Sequence, residues 1–80
     1  MNSITEIQNR IRQLFNTNPN IHVSKFLHNP KIAIVNKPAK IIGVYSHIFQ
    51  IEYEENGMLR TLTIQYPEIL TKQIEIAELT

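Results

Sequence analysis

The stretch 48-IFQIEYEENGMLRTLTIQ-65 decides the fold, because it predicts a β-hairpin with a fixed register. Asn56-Gly57 is the preferred pair for a two-residue type I′ turn, in which both residues take a positive φ. Counting outward from that turn gives three cross-strand pairs on one face: Phe49–Ile64, Ile51–Leu62 and Tyr53–Arg60. Side chains alternate along a strand, so this mostly apolar face is predicted to point into a core, with Tyr53 and Arg60 at its rim.

An amphipathic helix is predicted for residues 3–16, ahead of the hairpin. Ser3 and Glu6 have the spacing of a capping box, which satisfies unpaired N–H groups at a helix start. Apolar residues recur at steps of three and four and form one stripe, which Phe15 widens: Ile4, Ile7, Ile11 and Leu14. The stripe packs either against the sheet of this chain or against a second copy in a homodimer, and the sequence leaves both open.

Short strands are predicted on both sides of the central hairpin. After the loop 16-NTNPN-20, strands are expected over 21–27, 31–35 and 40–44, with breaks at 28-HNP-30 and 36-NKP-38. Beyond the hairpin, 66-YPEIL-70 predicts a turn or a single helical turn, and 72–78 predicts a last strand.

These elements predict a mainly β fold in one domain, residues 1–80. The helix 3–16 is expected to lie beside a small, strongly bent antiparallel barrel of about five strands, residues 21–78. Gly43, inside a strand, fits the kink that such a barrel needs.

Composition restricts the class of protein. The chain has 42% hydrophobic and 19% charged residues, which is typical of a folded chain, and its lack of cysteine excludes disulfides. No apolar run reaches the roughly 18 residues of a membrane span. The first 15 residues lack the apolar segment of a signal peptide, so we expect a cytoplasmic protein without a membrane partner.

Charge is distributed unevenly along the chain. Residues 1–51 carry six basic side chains and one carboxylate, whereas residues 52–80 carry two basic side chains and six carboxylates. This segregation indicates either a basic face for an anionic partner or two halves that interleave in the sheet and neutralise each other.

Residues with catalytic chemistry do not form a recognisable site. Ser46 and His47 are an adjacent nucleophile and base, but neighbours in a strand point to opposite faces, and the chain has no Asp to orient the base. Tyr45-Ser46-His47 is therefore interpreted as a turn. Three histidines have spacings that match no metal motif: His22, His28 and His47. Glu52 and Glu54 are interpreted as solvated edge charges. We expect no catalytic residues, no metal and no cofactor.

A binding role is the remaining hypothesis. Basic residues in the first half are candidates for contacts with nucleic-acid phosphates or a partner: Lys25, Lys31, Lys37, Lys40, Arg10 and Arg12. Tyr45 and Phe26 are candidates for base stacking. The alternative is a protein partner that binds through the helix stripe or an open sheet edge.

A family resemblance favours the protein partner. Tyr45 and Phe49 have Y-x-x-x-F spacing, and a Y-x-[DE]-I-L-T signature follows: Tyr66, Glu68, Ile69, Leu70 and Thr71. With the short hairpin between them, these motifs resemble the Veg family of small proteins, found mainly in Firmicutes, over roughly residues 3–78. The resemblance implies an SH3-like barrel behind an N-terminal helix. It also implies a non-enzymatic cytoplasmic protein linked to biofilm matrix genes through antagonism of a transcriptional repressor.

The resemblance carries over no catalytic residues, and its signature residues are interpreted as structural. This chain departs from the family in one segment. The family usually has a loop rich in Gly and Arg or Lys before the first signature strand. Here 28-HNPKIAIVNKPAK-40 has no glycine and fewer basic residues. The nucleic-acid role of such a loop therefore does not carry over with the resemblance.

Overall fold

The computed structural model describes residues 3–26 and 33–79, which form one helix-capped sheet. Its elements in chain order are α1 (Ile4–Thr17), β1 (Asn20–Phe26), β2 (Ala33–Val44), β3 (Ile48–Glu55), β4 (Met58–Gln65), α2 (Tyr66–Leu70), β5 (Ile74–Ile76) and a 3₁₀ turn (Ala77–Leu79). The strand order is β4-β3-β2-β1-β5, and all pairs are antiparallel. The predicted mainly β fold with five antiparallel strands and an N-terminal helix is confirmed.

The sheet is open, and its pairing has two register shifts along β2. β1 to β4 form a meander, and β5 returns to lie beside β1, which agrees with the SH3-like order that the resemblance implies. Within the described residues, β4 and β5 do not pair with each other, so the sheet keeps two edges instead of closing into a full barrel.

The central hairpin has the predicted turn and register. Asn56 and Gly57 have φ values of 53° and 79°, as a type I′ turn requires. All three predicted cross-strand pairs are present. Phe49, Ile51 and Ile64 are buried, so the apolar face does form part of the core.

Helix α1 closes the core of its own chain. The Ser3 side-chain oxygen accepts a hydrogen bond from the Glu6 N–H at 3.1 Å and thereby caps the helix. Ile7 and Ile11 are 1% and 0% exposed and belong to the core cluster. Of the two alternatives for the apolar stripe, the structure shows packing against the chain's own sheet.

The predicted strand break at 36–38 is wrong, because β2 continues through this segment. Asn36 has a φ of 49° and lies in a bulge opposite Ser24, whose hydroxyl oxygen accepts a hydrogen bond from the Asn36 N–H at 3.0 Å. Pro38 is tolerated because the pairing of β2 with β3 begins at Ala39, so β2 pairs with β1 alone at this point. The predicted break at 28–30 lies outside the described residues.

A second irregularity bends β2 between Ile41 and Gly43, where the register against β3 shifts. Gly43 is therefore at a bend, as predicted, but a further reason for glycine emerges. A Cβ atom at this position would lie 2.7 Å from the Tyr45 hydroxyl oxygen. The absence of a side chain lets the Tyr45 ring fold back across β2.

Candidate functional site

The segment Tyr45–His47 is a turn between β2 and β3, as the sequence predicted. The Tyr45 N–H donates to the Ile48 carbonyl at 2.9 Å, and Ser46 and His47 are both exposed. The Tyr45 carbonyl accepts hydrogen bonds from the Tyr66 hydroxyl at 2.6 Å and from the Gln8 side-chain amide at 3.3 Å. The Tyr45 carbonyl therefore connects the turn to α1 through Gln8 and to the start of α2 through Tyr66.

Tyr66 is the buried anchor of this turn. Its side chain is fully buried and stacks on Phe49, with the ring centroids 5.6 Å apart. Its hydroxyl also lies 3.1 Å from the Ile48 carbonyl. The carbonyl groups of Tyr45 and Ile48, at the two ends of the turn, therefore both face this hydroxyl group. Burial raises the pKa of the Tyr66 hydroxyl above its ordinary value, and the nearby positive charge of Arg12 acts in the opposite direction.

Replacing Tyr66 by Phe is expected to lower the free energy of unfolding by about 1–2 kcal/mol, because the part-buried Tyr45 carbonyl loses the closer of its two donors. The wild-type chain should also lose stability as the pH rises above 10.0, the ordinary pKa of tyrosine, because the unfolded chain ionises Tyr66 first. Tyr66→Phe should remove that part of the alkaline loss. Urea unfolding at pH 7 and pH 11 measures both effects.

Tyr45→Phe is the matched control, because the Tyr45 ring is half exposed. It should change the free energy of unfolding by no more than about 0.5 kcal/mol. Equal losses in the two variants would contradict the anchoring role of the Tyr66 hydroxyl.

The other signature residues make local contacts around α2. A Glu68 carboxylate oxygen accepts a hydrogen bond from the Gln65 N–H at 2.8 Å, and the Thr71 hydroxyl donates to the Pro67 carbonyl at 3.0 Å. Ile69 packs against the core, whereas Leu70 is 41% exposed. These contacts cap α2 and hold it against the core, which is consistent with the structural interpretation of the signature.

His22 and Glu78 are joined by two contacts that the sequence did not predict. One Glu78 carboxylate oxygen accepts a hydrogen bond from the His22 N–H, and the other lies beside the His22 Nδ1 atom, each at 2.8 Å. Burial acts to raise the pKa of Glu78, but the hydrogen bonds from His22 outweigh it and lower that pKa overall. The two residues are 56 positions apart, so no local pattern could have paired them.

Histidines and carboxylates do not assemble further. Among residues 3–26 and 33–79, no three His, Asp, Glu or Cys side chains lie close enough to hold a metal ion together. His28 lies outside these ranges, and His47 is on the exposed turn. The described histidines therefore offer one paired contact, that of His22 with Glu78.

The candidate basic residues lie on different surfaces. Lys40 is on the outer face of β2, with Glu52 as its cross-strand partner. Arg10 and Arg12 are on α1, where the Arg10 guanidinium donates to the Glu78 carbonyl at 3.5 Å. Lys31 lies outside the described residues. Lys25 and Lys37 alone are brought together, on the inner face of the sheet.

Lys25 and Lys37 line a shallow depression at the end of the sheet, which we call the mouth. Four strands contribute its lining: Val23, Lys25, Ile34, Lys37, Ala39, Ile51, Tyr53 and Leu62. Its volume is about 10 Å³, which holds roughly one water molecule and no small-molecule substrate. The mouth is a mostly apolar surface to which two half-buried lysines contribute.

β4 is an unprotected edge beside the mouth. In a hairpin with a two-residue loop, the residues that flank the turn exchange backbone hydrogen bonds, and every second residue does so thereafter. Met58, Arg60, Leu62 and Ile64 therefore bond to β3, and the intervening residues point their N–H groups outward. Of these outward groups, the Gln65 N–H is taken by Glu68. Those of Leu59, Thr61 and Thr63 have no partner within the part of the chain that the structure describes.

The outer end of this edge is apolar. Met58 is 61% exposed and Leu59 is 68% exposed, which makes Leu59 the most exposed large hydrophobic residue described. Arg60 is the one charged residue in the strand. Natural proteins usually shield an edge of this length with charges, proline or a covering element.

Comparison with known proteins gives no assignment. The chain matches no protein-family model, no curated protein and no solved structure. Within the described ranges, neither helix has the length and apolar character needed to cross a bilayer. Any function is therefore inferred from the surfaces described above.

Proposed function

We propose that this chain is a non-enzymatic cytoplasmic regulatory module that binds a protein partner by accepting an extended strand at β4. The observation that carries the proposal is the row of outward N–H groups at Leu59, Thr61 and Thr63, next to exposed apolar side chains. An added strand satisfies these groups and covers the apolar side chains, as in β-strand addition generally.

The opposite edge is a poorer acceptor. β5 has only three residues, against eight in β4. Beyond its end, the Glu78 carboxylate already occupies the next N–H group along β1, that of His22. β4 therefore offers a partner strand a longer edge for backbone hydrogen bonds than β5 does.

The resemblance to the Veg family supports a transcriptional repressor as the partner, with control of biofilm matrix genes as the outcome. The contacts described for its signature residues suit this role, because they shape the fold and take only the last outward N–H group of β4, that of Gln65. This proposal needs no reaction centre, only a rigid sheet that presents an edge.

Nucleic-acid binding is the alternative function, and Lys25 with Lys37 at the mouth is the observation in its favour. Its support is weaker, because Lys40 has Glu52 directly opposite and the two arginines lie on α1. Phosphate contacts would give binding that weakens steeply with salt. An electrophoretic shift at low salt, repeated with Lys25→Glu, distinguishes this alternative from strand addition.

The substitution Thr61→Pro tests the proposed function. It removes one outward N–H group and leaves the bonds between β4 and β3 intact, so the fold should survive. Tagged wild-type chain is used to capture proteins from nuclease-treated extract, and the captured regulator is then purified and its affinity measured. We expect Thr61→Pro to weaken binding by at least about tenfold, because the hydrogen bond from the Thr61 N–H to the partner strand is lost and the hydrogen bonds beside it are weakened.

Thr61→Ala is the matched control, because it removes the same side chain and keeps the N–H group. It should bind as the wild-type chain does. Equal binding by Thr61→Pro and wild type would refute strand addition at β4, and so would capture that succeeds from untreated extract and fails from nuclease-treated extract.

A further inference from the structure

The face of β4 that points toward the mouth is cationic. Strand alternation places Arg60 on the same face as Leu62, and Leu62 lines the mouth together with Lys25 and Lys37. Three positive charges from three strands therefore border one apolar surface at the open end of the sheet.

These cations lack carboxylate partners among the described residues. The one ion pair there joins His22 to Glu78, on the other side of β1. Glu55 shares the mouth face with Arg60, one cross-strand pair away at the hairpin tip, but no ion pair joins the two. The outer face differs, because Lys40 there has Glu52 opposite.

The two faces of the sheet differ in charge. Lys25 and Lys37 are half-buried beside the mouth, whereas Lys40 is exposed on the outer face opposite Glu52. A strand beside β4 would alternate its side chains between the outer face and the mouth face. A basic side chain on the mouth face would lie beside Arg60 and add to the positive charge at the mouth, whereas a carboxylate would be attracted by that charge.

We propose that the strand accepted at β4 is an acidic extended peptide, with carboxylates directed toward Arg60, Lys25 and Lys37. This inference rests on the proposed function and names the chemistry of its partner. Side chains of the added strand on the outer face would then pack on Leu59, and those on the mouth face would be recognised by their charge.

Two synthetic peptides of eight alternating residues test the inference, one of Val and Glu and one of Val and Lys. Fluorescence anisotropy measures their affinity for the intact chain at low and high salt. The Glu peptide should bind about tenfold more tightly than the Lys peptide at low salt, and the difference should shrink as salt rises. Arg60→Glu should remove or reverse the preference.

Lys40→Glu is the matched control, because it makes the same charge change on the outer face of β2. It should leave the preference unchanged, and Thr61→Pro should weaken both peptides. Equal binding of both peptides that Thr61→Pro still abolishes would overturn the acidic partner and leave strand addition standing. Binding of the Glu peptide that survives Thr61→Pro would overturn the placement at β4.

A second copy of this chain is the competing occupant of the edge. Sedimentation velocity of the wild-type chain and Thr61→Pro resolves this point. We expect both to sediment as monomers. A wild-type dimer that Thr61→Pro converts to a monomer would show that β4 pairs with itself and would overturn the proposal.

Discussion

Phe49→Ala is expected to lower the free energy of unfolding by about 3–5 kcal/mol, because it leaves a cavity at the centre of the core. The Phe49 ring is fully buried, stacks on Tyr66 and has Ile64 as its cross-strand partner. A domain of 80 residues has a total stability of about 4–12 kcal/mol, so this loss removes a large part of it. Urea unfolding followed by circular dichroism measures the change.

Phe49→Leu controls for general disturbance of β3. It keeps most of the apolar volume and should lower the free energy of unfolding by about 1.5 kcal/mol or less. A loss below about 1 kcal/mol in Phe49→Ala would show that the ring does not fill the core as described.

Ile11→Ala is expected to lower the free energy of unfolding by about 2–5 kcal/mol, the second largest effect. Ile11 is fully buried in the core of its own chain, so the loss should appear in the monomer and be independent of protein concentration. Urea unfolding at two concentrations, combined with light scattering, checks both points.

Phe15→Ala is the control on the same helix, because Phe15 is 37% exposed. It should change the free energy of unfolding by about 1 kcal/mol or less. If Ile11→Ala instead dissociated a dimer with little effect on monomer stability, the stripe would be an interface between chains and the packing of α1 would be wrong.

The elements that the sequence predicted well are those with local causes. The register of the central hairpin follows from Asn56-Gly57, which are adjacent and need no distant partner. The start of α1 follows from Ser3 and Glu6, three residues apart. Periodicity then identified the buried face of the helix correctly.

The elements that the sequence missed depend on distant contacts. β2 continues through Asn36 because the Ser24 hydroxyl, on the neighbouring strand, accepts the Asn36 N–H. The hydrogen bond from the His22 N–H to the Glu78 carboxylate joins the last turn to the first strand. Propensity favours a break at 36–38, and only the tertiary structure supplies the partner that overrides it.

The charge layout was predicted in part. The interleaving of the two halves does occur at Lys40 and Glu52, which are cross-strand partners. It does not extend to Lys25 and Lys37, because strand alternation places both on the buried face of their strands, which lines the mouth. The predicted break at 36–38 removed Lys37 from any strand, so alternation could not assign its face, although β2 is continuous there.

The central claim is that β4 accepts a strand, and residue-by-residue amide hydrogen exchange tests it most directly. NMR exchange rates are measured on the intact chain with and without a saturating amount of the Val-Glu peptide. Exchange should slow at Leu59, Thr61 and Thr63, whose N–H groups point outward, and should change little at Arg60 and Leu62, which already bond to β3. Peptide binding that leaves exchange at Leu59, Thr61 and Thr63 unchanged, or that protects another surface instead, would contradict the account.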